Sequence, residues 1–365
     1  MADGTVGIGI IGTGNISSAY LKAILGREGL KGFPILAIKG LADMRPEAAK
    51  ARADEFGLAT MSVDAMFADP DVDLIVNLTI PRAHVEVGKR ALEAGKHVYS
   101  EKPLGITFAE GKSLVEMGKA KGLRVGSAPD TFLGGAHQTA RAVIDSGALG
   151  TIVGGTAYMM GPGHESWHPD PAFYYDIGGG PMLDMGPYYI TDLVNLLGPV
   201  EKVMAMSSTA RTERVITSEP KRGQMMPVKI ATHVTGALKF ASGAIVQIAM
   251  SFDVPGHKHT PLEIYGLERA MIVPDPNHFG GEVETKPVGR TLPWEKVEVT
   301  KPYADGNYRS LGVADMAGAI LENRPHRANG DLALHVLEVM EAFETAARDE
   351  RPVTLTTTVE RPAAL

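Results

Sequence analysis

From residue 6 to about residue 127, short apolar runs bounded by turn residues alternate with helix-length stretches rich in Ala, Glu, Lys and Arg. The runs at 6–11, 35–42, 74–78, 97–99 and 124–127 are near-continuous rather than alternating, the pattern of parallel strands covered on both faces. Between them, the stretch 45–55 carries Pro46 in its first turn, where the missing N–H has no partner to lose, and the stretch 83–94 closes at Gly95. This rhythm predicts strand–helix–strand units around one parallel sheet.

Beyond residue 130 the period changes. A helix over 136–146 ends at Gly147, and the runs 231–240 and 244–252 alternate polar and apolar side chains on either side of Ala241-Ser242-Gly243, which predicts an antiparallel hairpin. Further strands are expected at 203–208, 262–265 and 270–273, with helices at 308–321 and 331–348, while the Pro- and Gly-rich stretch 274–302 reads as irregular. The expected organisation is an α/β Rossmann dinucleotide-binding domain over residues 1–128. It is followed by an α+β domain over 129–365 with a large open, mainly antiparallel sheet.

Composition narrows the partners. The 365 residues are 44% hydrophobic and 22% charged, long enough for two cores and ordinary for folded protein. A net charge of -7 without a basic block argues against nucleic acid, whose nonspecific affinity comes from Lys and Arg neutralising phosphates. No stretch approaches the ~20 apolar residues that cross a bilayer. The run at 6–11 has no secretory n- and h-region before it, so the expected location is the cytoplasm. Zero Cys removes thiolate nucleophiles, disulfides and Cys-ligated metals.

The first apolar run leads into Gly12-Thr13-Gly14-Asn15-Ile16-Ser17. Gly12 and Gly14 can make a tight strand-to-helix turn and let a pyrophosphate approach the exposed N–H groups of the helix that starts at Asn15 and Ile16. Ser17 stands where a third glycine is usual and is small enough for close packing. Asp43, at the end of the second run, could accept both ribose hydroxyls of an adenosine and repel a 2′-phosphate, favouring NAD over NADP. It could equally cap the next helix, and Arg45 could pair with a phosphate.

Two more segments complete a pattern: Lys96-His97-Val98-Tyr99-Ser100-Glu101-Lys102-Pro103, and the run from Asp176 through Gly178-Gly179-Gly180-Pro181 to Asp184 and Tyr188. With the glycine motif, their order and spacing resemble the Gfo/Idh/MocA family of nicotinamide-dependent sugar and cyclitol dehydrogenases. The likeness extends to Ser146-Gly147-Ala148-Leu149-Gly150, to Glu322-Asn323-Arg324-Pro325 and to Arg351-Pro352-Val353. Hydride transfer from an alcohol needs a group to take the hydroxyl proton and donors to hold developing charge. The resemblance implies Lys102 as the catalytic-site lysine, Asp184 as a substrate anchor and Tyr188 in a position that many relatives fill with His. Whether Tyr188 or Lys102 carries the proton stays open. Asp184 and Tyr188 are four apart on one helical face, and Pro181 suits that helix's first turn.

The resemblance also implies that Thr79, Pro81 and His84, in Asn77-Leu78-Thr79-Ile80-Pro81-Arg82-Ala83-His84, line the nicotinamide side, and that Glu101 orients Lys102 or bonds the cofactor. Asp130 is expected among the substrate-binding residues. The stretch from Gly161 to Tyr175 offers His164, Trp167 and His168, aromatic faces and polar groups suited to a sugar ring. No metal is expected there, because the prolines and glycines disfavour the helix that would align the two histidines. The partners implied are a carbohydrate or cyclitol and a second copy of the chain, as a homodimer or homotetramer through the open sheet face. The activity is a reversible NAD(H)-dependent oxidation of a secondary hydroxyl. Two alternatives are a redox-neutral sugar enzyme with retained NAD and a non-catalytic NAD(H) sensor.

Overall fold

The computed structural model describes residues 4–365. The chain forms two compact units: residues up to Leu133 with Asp305–Leu337, and Gly134–Ala304 with Glu338–Leu365. In the first unit β1 (Val6–Ile11), β2 (Leu36–Ala42), β3 (Leu74–Asn77), β4 (His97–Ser100) and β5 (Val125–Ser127) form a parallel sheet in the order β2-β1-β3-β4-β5. Each strand lies within about a residue of its expected ends. Helices α1 (Asn15–Leu25), α2 (Pro46–Phe56), α3 (Val63–Ala68), α4 (His84–Glu93) and α5 (Phe108–Lys121) make the crossovers. Thr107 and Glu110 close a capping box on α5, satisfying backbone donors that a helix start leaves free. Val6, Ile8, Ile10, Leu74, Ile75, Val76 and Val98 are buried, as strands covered on both faces must be. The strand order reverses between β1 and β3, so the carboxyl ends of the strands open a crevice there.

The second unit is built on a nine-stranded sheet. Helix α6 (Gly135–Asp145) precedes β6 (Ile152–Met160), and α7 (Pro181–Leu197) precedes β7 (Val200–Ser208). Next come β8 (Glu213–Val215), β9 (Met225–Pro227), β10 (His233–Phe240), β11 (Ile245–Ser251), β12 (Leu262–Gly266), β13 (Arg269–Val273), β14 (Val283–Pro287) and β15 (Glu295–Val297). With β16 (Val353–Thr354), the sheet order is β15-β14-β13-β12-β6-β11-β10-β7-β16, and β8 and β9 form a separate hairpin. Only β6 and β11 pair in parallel within the large sheet. One register row carries Val203, Leu238, Val246, Ile264 and Met271, all fully buried. Each such side chain contributes about 1.5–3 kcal/mol of burial, and α6 and α7 pack on the sheet. On the opposite face of β7, Met204 and Met206 are exposed, Met206 at 77%.

Two expectations need correction. The stretch 274–302 is not wholly irregular: β14 and β15 extend the sheet, with Val283 and Thr285 buried in a period-two pattern too short to stand out among Pro and Gly. Nor does one cut at residue 128 divide the chain. Helix α8 (Leu311–Glu322) and the start of α9 (Gly330–Asp349) rejoin the first unit, where the Arg124 guanidinium donates to the carbonyls of Ala319 and Arg324 at 3.0 and 2.6 Å. Among the described residues, no helix is long and apolar enough to cross a membrane, and no group of three or more His, Cys, Asp or Glu could hold a metal.

Asp192 joins α6 and α7 in the second unit. His137 on α6 and Asp192 on α7 are fully buried with Nδ1 and Oδ2 2.8 Å apart, and the other ring nitrogen faces the His278 carbonyl oxygen at 2.9 Å. An acceptor at each nitrogen favours the doubly protonated ring. Burial opposes that charge, but the Asp192 carboxylate beside it holds the His137 pKa above its ordinary value. Asn195 bonds Asp192 through its amide N–H and accepts from Arg141 through its oxygen, extending the network back to α6. Asp192→Ala is expected to cost about 3–5 kcal/mol, because it strands a buried imidazolium. A raised histidine pKa stabilises the fold fully below about pH 6.5, and that contribution is lost as pH rises. Thermal melts of wild type and variant should therefore converge as pH rises from about 6.5 through the raised folded-state value; a gap constant from acid to alkaline pH would exclude a charged His137.

Candidate active site

In the first unit the expected residues gather at the carboxyl ends of β1 to β4. Gly12 directly follows β1 with φ +100, a conformation that a Cβ disfavours. A Cβ there would also stand 2.5 Å from the Leu78 carbonyl carbon and 2.7 Å from the Thr79 nitrogen. Gly14 caps α1 without a side-chain hydrogen bond, and open space lies where its Cβ would be. An uncapped N-terminus on an eleven-residue helix, approached over a bare backbone, fits a diphosphate. Asn15 is exposed and Ile16 half-buried beside it. Ser17 is buried and its hydroxyl donates to the Gly14 carbonyl at 2.7 Å, so the serine at the third glycine position bonds back into the turn.

Asp43 is bound into this turn rather than capping the next helix. Its Oδ2 accepts the Thr13 N–H at 2.8 Å and the Thr13 hydroxyl at 2.9 Å, and its Oδ1 accepts the Arg45 N–H at 3.0 Å. Burial works against ionisation, but these three hydrogen bonds and the Arg45 charge hold its carboxyl below the ordinary carboxylate range. A carboxylate has about four acceptor positions, so one is left for a ribose hydroxyl instead of the expected two. The Arg45 side chain is largely exposed, 4.0 Å from Asp43. Arg52, which the sequence did not single out, donates to the Gly14 carbonyl at 3.4 Å.

The exits of β3 and β4 are tied together through His84. Asn77 accepts the N–H and hydroxyl of Thr79, at 3.3 and 2.6 Å, and donates to the His84 carbonyl at 3.0 Å. Thr79 and Pro81 are half-buried. His84 is wholly buried: Nδ1 lies 2.8 Å from the Pro103 carbonyl oxygen and Nε2 3.0 Å from that of Thr79. Expected to face the cofactor, its ring instead braces the loop that follows Lys102, and burial lowers its pKa despite the two carbonyls. Glu101 Oε2 accepts the Lys102 N–H at 3.1 Å, while Oε1 accepts the hydroxyl of the fully buried Tyr20 at 2.7 Å. Lys102 itself is half-buried.

Asp130 departs from expectation. It is buried in the first unit, and its Oδ2 accepts the N–H groups of Ser310 and Gly312, at 3.0 and 2.9 Å, at the start of α8. Burial pushes its carboxyl up to about 6 in spite of those donors. The returning helix, remote in sequence, claims it as a cap.

In the second unit, Gly180 takes φ +95 ahead of Pro181, which occupies the first turn of α7 as expected. Asp184 is half-buried and Tyr188, one turn on, is buried. His164 Nε2 lies 3.5 Å from Asp184 Oδ2, so the structure brings together two residues twenty apart in sequence. The His164 ring stacks on Tyr174, centroids 3.7 Å apart and 10° from parallel, and meets Phe252 edge-on at 4.5 Å. Trp167 is 62% exposed, and its ring centroid is 5.3 Å from each of His164 and His168. Burial and the neighbouring His164 lower the His168 pKa, and its Nδ1 accepts the Asp170 N–H at 3.0 Å. An acid, two imidazoles and aromatic faces can hold a ring that has hydroxyls around its edge and C–H groups on its face.

Residues 6–128 match the family described as the oxidoreductase family, NAD-binding Rossmann fold, and residues 137–272 match the GFO/IDH/MocA C-terminal domain. Among curated relatives, an uncharacterised oxidoreductase of Schizosaccharomyces pombe is 26% identical over 82% of this chain and 85% of its own. Levoglucosan dehydrogenase of Pseudarthrobacter phenanthrenivorans is 27% identical over 73% and 72%, and 1,5-anhydro-D-fructose reductase of Ensifer adhaerens 27% over 88% and 90%. The fold is that of solved levoglucosan dehydrogenase structures. The apo form superposes with TM-score 0.83 at 23% identity, covering 97% of this chain and 100% of that one. A complex with NADH and levoglucosan gives 0.80 at 23%, covering 96% and 99%.

The Asp130 carboxyl yields a prediction. A raised acid pKa means that the protonated form suits the fold, so its stability contribution is complete below about pH 4 and lost as pH climbs to about 6. Asp130→Asn keeps an oxygen for the two N–H groups without the buried charge. It should match wild type in melts at pH 4 and gain up to about 3 kcal/mol on it above pH 6; a variant weakened equally at every pH would refute this.

Proposed function

As the chain belongs to the Gfo/Idh/MocA family of oxidoreductases, with an NAD-binding half, we propose that it reversibly oxidises a secondary hydroxyl of a sugar, sugar derivative or cyclitol. The observation that carries this reading is the match of both halves to one family, together with His164, Trp167 and Asp184 grouped at the head of α7. Levoglucosan dehydrogenase and D-xylose dehydrogenase among the relatives support a carbohydrate substrate, and the NADH complex of the former supports NAD as cofactor. Asp43 supports the same choice, because a carboxylate at the end of β2 repels a 2′-phosphate.

NAD, when bound, supplies the hydride acceptor. Gly12, Gly14 and the first turn of α1 would hold its diphosphate, Asp43 one ribose hydroxyl, and the segment from Thr79 to Pro81 the nicotinamide side. Lys102 and Tyr188 are the candidates to take the hydroxyl proton, and Asp184 anchors the substrate. Glu101 fixes the backbone from which Lys102 rises. The sheet face with the exposed Met204 and Met206 would be covered by a second copy of the chain in a homodimer or homotetramer.

Wild-type protein is expected to reduce NAD with at least one member of a panel of levoglucosan, D-xylose, other monosaccharides and cyclitols, followed by NADH absorbance. Lys102→Met should lose about 10²–10⁴-fold in turnover while still binding NADH. Tyr188→Phe separates the two proton carriers: full turnover would leave the role to Lys102. Asp43→Ser should shift preference toward NADP, and unchanged selectivity would remove Asp43 from cofactor choice.

A further inference from the structure

Between β7 and β10 the chain takes a detour that the sheet does not require. The two strands pair directly, with Ser208 opposite His233, yet residues 209–232 lie between them and carry the β8–β9 hairpin. The hairpin serves the segment from Gly161 to Tyr175. Thr217 and Ser218 donate their N–H groups to the Glu165 carbonyl, both at 2.9 Å, the Ser218 hydroxyl donates to the His168 carbonyl, and Lys229 donates its N–H to that of Tyr175 at 2.9 Å. Ile216 and Met226 of the hairpin share a small core with Tyr175 and Phe252.

Arg214 sits at the centre of this assembly. Its side chain is only 2% exposed and is ion-paired to both Glu165 and Asp253. One terminal nitrogen also donates to the Pro162 carbonyl at 3.2 Å and to the Tyr175 hydroxyl at 3.4 Å, and the other to the Phe252 carbonyl at 3.0 Å. The guanidinium lies over the Tyr175 ring, 4.8 Å from its centroid. The Tyr175 hydroxyl donates to Glu165 at 2.6 Å and accepts the His164 N–H at 3.2 Å. Arg214 thus bonds residues on both sides of His164 and ties them to Phe252 and Asp253, which follow β11. The fixed fork of a guanidinium can serve these directions together, which an ammonium cannot.

We propose that Arg214 is a positioning residue for substrate recognition: from the β8–β9 hairpin it locks the loop of His164, Trp167 and His168 in the shape that presents His164 to Asp184. The proposal rests on the dehydrogenase reading for its substrate, but the clamp has a signature of its own. The loop is preformed, and substrate binding does not have to order it.

The test compares wild type with Arg214→Met, Arg214→Lys and Tyr175→Phe, which removes one hydroxyl and leaves the ring in the core. Hydrogen exchange followed by mass spectrometry should show faster exchange across residues 162–175 in Arg214→Met and Tyr175→Phe, with the first unit unchanged. On whichever panel sugar wild type turns over, KM should rise about tenfold with kcat within about threefold and NADH affinity unchanged, and Arg214→Lys should recover part of the loss. Loop exchange and KM equal to wild type would overturn the proposal. So would a higher KM together with losses of kcat and NADH affinity, which marks general destabilisation. If Arg214→Met does not fold, Tyr175→Phe decides. If wild type binds NADH but turns over no sugar, the dehydrogenase reading fails, and loop exchange alone upholds or overturns the clamp.

Discussion

The first unit depends on one close backbone approach, that of Gly12 to the peptide joining Leu78 and Thr79. With no side chain between them, the exits of β1 and β3 meet, and hydrogen bonds spread from that meeting point. Thr13 fastens the turn to Asp43 after β2. Asn77 shapes the turn at Thr79, and His84 connects Thr79 to Pro103 after β4. Glu101 then receives Tyr20 from α1. The strand exits that a dinucleotide would touch are therefore braced by buried polar contacts, each of which would be costly if left unpaired.

The second unit solves a different problem. Its large sheet is covered by α6 and α7, and α7 is partly exposed over 183–185 while its end is buried. The buried His137–Asp192 pair and the Arg141–Asn195 contacts hold the far end of the helix. Gly180 and Pro181 set its near end, where Asp184 meets His164. Rigid packing at one end and a clamped aromatic loop at the other place the polar groups.

Much of this was legible in the sequence, for identifiable reasons. Continuous apolar runs located β1 to β5 because parallel strands are buried on both faces, and alternation located the β10–β11 pair. Gly12, Lys102 and Asp184 stood out through motifs whose spacing is local. Long-range partners were not legible. Asp130 meets Ser310 and Gly312 some 180 residues away, His84 is spent on two backbone carbonyls, and Asp43 is largely committed to Thr13 and Arg45. Arg214 looks like any surface arginine until the fold surrounds it with Glu165, Asp253 and Tyr175. Periodicity reports which face is buried, and says nothing of which distant group a buried polar atom will meet.

The return of residues 305–337 to the first unit bears on how the chain is made. A fragment ending at residue 128 would leave the Arg124 guanidinium without the Ala319 and Arg324 carbonyls that it binds, and the Gly126 backbone without its bridge to Asn329. The cofactor half is thus not a module that can be excised at residue 128. During synthesis it waits, incomplete, while all but the last strand of the second sheet emerges from the ribosome, and α8 and the start of α9 then close it.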